Sequence, residues 1–362
     1  MRVSQVHQFL PSLGHRDAVG NHTLATQHIL RSAGIRGGIW AEDVHPENRR
    51  KGRPFIDYAR SRSARGGKNL LMYQASTGSN GMVDFLLSRP ERLLIYYHNI
   101  TPPEFFAPYD PASAVVLERG RLEIARICSR IDHALANSDY SAKELRALGV
   151  EDVASFPPFS PRIESEPSRS HAQWLAKTKR GIDVLFVGRL VPNKGHAHLL
   201  RAFAALRAGA EAQPRLFVVG SWGPAPYMRA VARLRDRLGP EGIVLAGSIT
   251  EPRLAAHYQE ADVFLSLSEH EGFGVPVLEA MRFGVPVVAY EGGAVGETLG
   301  GSGVLLRTLD PALVAEVVNR VACDEDLRRR IVERQHERVA ELERIPRNEL
   351  LLASVRSVFG ES

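Results

Sequence analysis

Long apolar runs are missing. No window approaches 18 uninterrupted apolar residues, so no membrane-spanning helix is expected, and the opening stretch MRVSQVHQFLPSLGHRD lacks the apolar core of a secretory signal. Cysteine is scarce: Cys128 and Cys323 stand far apart without a CxxC pair or a histidine-rich neighbourhood, which argues against a disulfide framework and a zinc site and fits a reducing cytosol. Solenoid-period repeats and low-complexity tracts are also absent. What remains is a chain of 362 residues, 44% hydrophobic, long enough to bury a full core and more readily two domains than one.

The formal charge is +5, a balance that suits nucleic acid, anionic lipid or phosphorylated ligands. No helix-turn-helix or RRM signature supports a nucleic-acid partner, and none is expected. The densest basic run, ENRRKGRPFIDYARSRSARGGK at residues 47–68, holds eight Lys/Arg with little apolar periodicity and reads as a solvated loop. It leaves open a peripheral membrane contact for a protein otherwise expected to be cytoplasmic.

Short β-branched runs alternate with helical patterns, which argues for parallel sheets flanked by helices. The strand candidates are VSQVHQF, GGIWAE, NLLMYQ, RLLIYYH and HALANS in the first half, and DVLFVGR, RLFVVG, GIVLAG, ADVFLSLS and VPVVAY in the second. Helices are predicted for 21–33, 111–129, 196–207, 228–238 and 251–259. The Pro- and Ser-rich FPPFSPRIESEPSRS, residues 156–170, reads as a linker. It separates an α/β domain at 1–165 from another at 178–342. Residues 310–358 read as helical, and the segment 346–362 is expected to pack back on the first domain.

Two stretches carry chemistry. In DVLFVGRLVPNKG a strand ends at Gly188, and Arg189 and Lys194 then precede a helix start. A guanidinium fork and an ammonium beside a helix N-terminus make an anion site better matched to a diphosphate than to one carboxylate. In EHEGFGVPVLEAM, Glu271 precedes Gly272, Phe273, Gly274 and Val275, and Glu279 follows within the next helix. Turn glycines free backbone N–H groups for phosphate, and a carboxylate on each side can accept hydrogen bonds from hydroxyls, as a nucleotide sugar would require.

Together, GRLVPNKG and EHEGFGVPVLEAMRFGVPVVAYEGG resemble the retaining glycosyltransferases of family 4, across residues 183–300. The resemblance implies the GT-B fold, two facing Rossmann-like doubly wound domains with a cleft between them. It implies that Arg189 and Lys194 hold the donor diphosphate, that Glu271 contacts the donor sugar and Glu279 the ribose, and that backbone near Gly247, Ser248 and Ile249 meets the base. In the first domain it points to His98, at a strand end in RLLIYYHNI, near the transferred sugar, with Asn99 beside it. It also points to Gly14 or Gly20 in GHRDAVG on the donor phosphate, and to Asp17 as an acceptor contact.

The expected reaction is retaining transfer of a hexose-type sugar from a nucleoside diphosphate sugar, GDP-mannose or a UDP-hexose, to a glycan, lipid-linked or small-molecule hydroxyl. No cofactor and no metal are expected: Asp324-Glu325-Asp326 matches a bare DxD pattern but reads as a helix cap. Three rivals remain. A glycoside hydrolase using Glu271 and Glu279 leaves the Arg/Lys loop idle. A phosphorylase or epimerase of similar architecture and a non-enzymatic basic nucleic-acid-binding module complete the set.

Overall fold

The computed structural model describes residues 5–14, 17–65, 68–160 and 162–359. The chain forms two compact units. One comprises Met1–Pro103, Ala112–Pro161 and Pro346–Ser362, the other Glu104–Pro111 and Arg162–Ile345.

The first unit is built on strands β1 (Gln5–Leu13), β2 (Ile39–Val44), β3 (Gly52–Pro54), β4 (Asn69–Ala75), β5 (Arg92–Tyr97), β6 (His133–Ala136) and β7 (Val153–Ser155). They form one parallel sheet in the order β3-β2-β1-β4-β5-β6-β7. Helices α1 (Ala18–Ser32), α2 (Met82–Leu87), α3 (Pro111–Ile127) and α4 (Asp139–Ala147) connect them. Every residue of β4 is buried, as a parallel strand covered on both faces requires. Leu71 and Tyr73 join Phe9, Leu93 and Ile95 on one face. Leu70 and Met72 join Val6, Leu94 and Tyr96 on the other.

The second unit runs through α5 (Arg169–Thr178), β8 (Asp183–Val187), α6 (His196–Gly209), β9 (Arg215–Val219), α7 (Ala225–Leu238), β10 (Ile243–Gly247), α8 (Glu251–Glu260), β11 (Val263–Ser266), α9 (Val275–Arg282), β12 (Val287–Tyr290), α10 (Val295–Leu299), β13 (Val304–Leu306), α11 (Pro311–Cys323) and α12 (Glu325–Arg344). Its parallel sheet has the order β10-β9-β8-β11-β12-β13. The chain builds outward from β8 on one side and from β11 on the other. The order therefore reverses between β8 and β11, and a doubly wound sheet binds ligands at the carboxyl ends of such a pair. A last helix, α13 (Arg347–Ser357), belongs to the first unit, where Leu351 and Val355 are buried among Val6, Leu30 and Leu94.

Several expectations need correction. Residues 47–68 are not simply a solvated loop: they contain β3, and Phe55 and Tyr58 are buried in the core. The Tyr58 hydroxyl accepts from Asn69 Nδ2 at 3.2 Å and donates to Glu91 Oε1 at 3.2 Å. Residues 104–111 group with the second unit, where the Tyr109 and Tyr227 rings meet edge-on at 4.9 Å. Phe156, placed by sequence in the linker, is fully buried in the first unit's core. The strands β3, β7 and β13 have three residues each, too few for a periodic signal.

Candidate functional site

The β8–α6 and β11–α9 loops leave the adjacent strands where the second sheet's order reverses, and backbone bonds join them. Glu269 N–H donates to Asn193 O at 2.9 Å, and Asn193 Nδ2 donates to His270 O at 3.0 Å. Across this seam Lys194 Nζ lies 2.6 Å from Glu271 Oε1, with only 18% and 12% of the two side chains exposed. Close approach depends on glycine. Gly195 has φ +66°, and a Cβ there would lie 2.0 Å from Leu267 O. Gly293 has φ +65°, and a Cβ would lie 2.3 Å from Glu271 O, the carbonyl that accepts from Ala294 N–H.

Gly188 N–H is bonded to Val219 O, which leaves Arg189 exposed at the strand end with no described side-chain partner. Gly274 caps α9. Phe273 turns its ring into the core, where Val275 and Ile249 pack against the same cluster, so only the Phe273 backbone faces the loop. The Phe273 carbonyl accepts from the Thr298 hydroxyl. Ser248 is exposed after β10.

Glu279 does not join the Lys194–Glu271 pair. Its Oε2 accepts from Tyr258 OH at 2.8 Å, and it lines a cavity of about 350 Å³ with Arg282, Phe283 and His336. Burial pushes its carboxyl up to about 7, against the Tyr258 hydrogen bond and the Arg282 charge, which favour ionisation. A carboxyl poised there can both accept and donate to a hydroxyl.

In the first unit, burial drives the His98 imidazole down to about 3, so it is neutral near pH 7. Its Nε2 lies 2.8 Å from Gln74 Oε1, Gln74 Nε2 donates to Gln8 Oε1 at 2.8 Å, and Gln8 Nε2 donates to Thr23 O at 2.9 Å. With the Gln74 amide nitrogen committed to Gln8, its oxygen takes the proton of His98 Nε2 and leaves Nδ1 as the acceptor atom.

Asn99 is a structural corner: its φ is +72°, it is buried, and its amide donates to Ser141 Oγ at 3.1 Å and Glu144 Oε2 at 3.3 Å. Asp17 caps α1, accepting from Gly20 N–H at 2.7 Å. Its carboxylate also occupies the space beside Gly14, where a Cβ would meet Oδ2 at 2.2 Å, and Gly14 O accepts from Asn48 Nδ2 at 2.7 Å. His15 and Arg16, between them, lie outside the described residues. Ser79 in the β4–α2 loop is likewise spent on structure, giving its N–H and hydroxyl to Glu123 at 2.9 and 3.0 Å. Asp324 caps α12 by accepting from Leu327 N–H at 2.9 Å.

Sequence reasoning missed Gln74, Tyr258 and Trp222. Trp222 follows β9, is 54% exposed, and its indole covers Gly247, with ring atoms 2.9–3.2 Å from where a Cβ would stand. An exposed tryptophan just past a strand end was the available signal.

The paired loops lie inside a stretch, residues 168–338, that matches the model of the family glycosyl transferases group 1. Residues 168–338 are a group 1 glycosyltransferase domain. Among curated relatives of the chain, a D-inositol 3-phosphate glycosyltransferase from Catenulispora acidiphila is 32% identical over 206 residues, covering 53% of this chain and 48% of that protein. A GDP-mannose-dependent alpha-(1-6)-phosphatidylinositol monomannoside mannosyltransferase from Mycolicibacterium smegmatis is 33% identical over 151 residues, 39% of this chain and 38% of that one. The chain spans about half the length of the first curated relatives it matches.

The fold is shared more widely. Sucrose-phosphate synthase from Thermosynechococcus elongatus superposes with a TM-score of 0.75 at 18% identity, over 99% of this chain and 100% of that one. HepE from Anabaena, in complex with UDP and glucose, gives 0.73 at 18% identity over 98% and 100%. Each of the two units thus has the doubly wound architecture of the GT-B class. Among the described residues, no helix is long and apolar enough to cross a membrane.

Proposed function

We propose that the protein transfers a hexose-type sugar from a nucleoside diphosphate sugar, GDP-mannose or a UDP-hexose, to a hydroxyl of a glycan, lipid-linked or small-molecule acceptor, with retention and without a metal ion. The observation that carries this reading is the Lys194–Glu271 pair within the glycosyltransferase domain. An ammonium beside a carboxylate, in the loops that follow the paired strands β8 and β11, supports a diphosphate contact for Lys194 and a sugar contact for Glu271. Arg189 reaches solvent from the same strand end. Relatives that include a GDP-mannose-dependent mannosyltransferase, and a structural neighbour holding UDP and glucose, support the donor class.

Lys194 keeps two ammonium protons beyond the one directed at Glu271, and Arg189 offers a fork. Both stabilise the charge that develops on a leaving diphosphate, the largest electrostatic demand of the reaction. Glu271, held by Lys194 at its carboxylate and by Ala294 N–H at its carbonyl, orients sugar hydroxyls. Glu279 accepts from the ribose, and His98 presents Nδ1 to a sugar hydroxyl. In a front-face route the departing phosphate takes the acceptor's proton, and no protein nucleophile is needed.

The test is calorimetric titration with GDP, UDP and ADP and their common sugars, beside Arg189→Ala. A ligand at about 100 times its Kd adds roughly 2.7 kcal/mol of stability. Saturable stabilisation by one nucleotide, lost in Arg189→Ala, is expected. A folded protein that responds to none of them rejects the reading. NMR of the product's anomeric proton, with and without EDTA, then decides retention and metal independence.

A further inference from the structure

The first unit carries a basic cavity that this reaction does not use. It measures about 440 Å³ and is lined by Arg31, Arg36, Arg50, Lys51, Arg53 and Arg62, with no carboxylate in its wall. Among the described residues none of the six pairs with a carboxylate, and Arg53 lies 5.9 Å over the Trp40 ring. The formal charge of the whole chain is +5, so without these six cations the remainder would be −1. These six cations alone outnumber the excess of positive charge on the whole chain.

Its position sets it apart from the residues discussed so far. Gln5 and Ile39, which also line it, are the first residues of β1 and β2, and Arg31 lies in the last turn of α1. The cavity thus opens at the amino-terminal ends of the strands. Gly14, Asp17 and His98 follow the carboxyl ends of β1 and β5, at the opposite edge of the same sheet. Six like charges around one concavity repel each other, and solvent screens them only in part. A bound polyanion would relieve that repulsion. Five of the six are arginines, whose forks match phosphate oxygens two at a time, and the volume lies within the roughly 300–1,000 Å³ of small-ligand sites.

We infer that this cavity is a binding site for a ligand carrying two or more phosphate groups, separate from donor binding and independent of the reading above. One phosphate would leave most of the positive charge unmatched. Tripolyphosphate is the first probe and is titrated calorimetrically in an Arg189→Ala background, so that the proposed donor site does not contribute. One-to-one binding is expected, weakened at least tenfold in Arg36→Gln/Arg50→Gln/Arg53→Gln. All three side chains are exposed, so the variant is expected to fold, with an unliganded Tm equal to or above that of its parent.

Sedimentation with vesicles containing cardiolipin, whose headgroup carries two phosphates, against phosphatidylcholine alone, identifies the source of the phosphate. Pelleting that tripolyphosphate competes away and the triple variant loses indicates a lipid headgroup. Tripolyphosphate binding without pelleting indicates a soluble ligand. Equal affinity in the triple variant, or no binding to either probe, overturns the proposal.

Discussion

Lys194 Nζ and Glu271 Oε1 are 2.6 Å apart, although 77 residues separate them in sequence. Removing one partner strands the other charge in a largely enclosed place. Lys194→Ala and Glu271→Ala should each cost about 1–4 kcal/mol, and the double variant less than their sum. Urea unfolding of the three proteins measures the coupling. Additive losses would reduce the pair to coincident neighbours. Nucleotide affinity should fall at least tenfold in Lys194→Ala and much less in Glu271→Gln.

Glu279 is expected to make stability depend on pH in the neutral range. Its folded value, about 7, lies above the ordinary carboxylate value of 4.5, so its contribution is complete below 4.5 and is lost as pH rises through 7. Glu279→Gln should therefore flatten the stability profile between pH 5 and 8 and gain on the order of 1–3 kcal/mol over wild type at pH 8. A parallel displacement of the two profiles, with no change of slope, would show that burial does not perturb this carboxyl.

His98 carries the opposite sign. Its folded value of about 3 lies below 6.5, so its stabilising contribution is present above pH 6.5 and is lost as pH falls toward 3. The imidazole should not titrate in NMR spectra between pH 5 and 8. Gln74→Glu puts a carboxylate at the Nε2 contact and should raise the His98 value into that window, adding a new limb to the pH profile of kcat/KM. An unchanged profile, with His98 still silent by NMR, would remove Gln74 from the positioning of that ring.

Trp222 is the exposed indole beside Gly247, whereas Trp40 is buried and Trp174 stands on α5. Nucleotide binding at the loop after β10 should change tryptophan emission, and Trp222→Phe should abolish the change while weakening affinity several-fold. A signal that survives in Trp222→Phe would place the base elsewhere.

Leu351 is 1% exposed and is buried in the first unit's core. Leu351→Ala should cost about 2–5 kcal/mol. Hydrogen exchange should show the loss in β1, β4 and β5 and spare β8 and β11. Uniform loss across both sheets would mean that the two units unfold as one.

Much of this architecture was legible because parallel strands announce themselves. NLLMYQ and RLLIYYH are near-continuous apolar runs, and the structure makes them β4 and β5. Gly188, Arg189, Lys194 and Glu271 could be grouped because one strand and one turn fix each of them locally. What sequence spacing does not encode is how polar side chains spend their hydrogen bonds. Asn99 and Ser79 look available for a ligand in one dimension, but Glu144 and Glu123 claim them across 45 and 44 residues. Gln74 looks like an ordinary strand residue until the fold brings Gln8 and His98 to either end of its amide. The basic run at 47–68 was visible as charge, yet Arg31 and Arg36, which complete its cavity, come from another part of the chain.

The return of α13 to the first unit has a consequence for biosynthesis. Residues 5–160 precede it on the ribosome, and Leu30 and Phe156 cover part of the sheet face built on Val6, Leu70, Leu94 and Tyr96, but that cover is completed only when Leu351 and Val355 have been made. The glycosyltransferase domain, whose matched stretch ends at residue 338, is by then fully synthesised. The unit translated first is thus the last to close, and the part of its sheet face that α13 covers stays open to chaperones through most of translation.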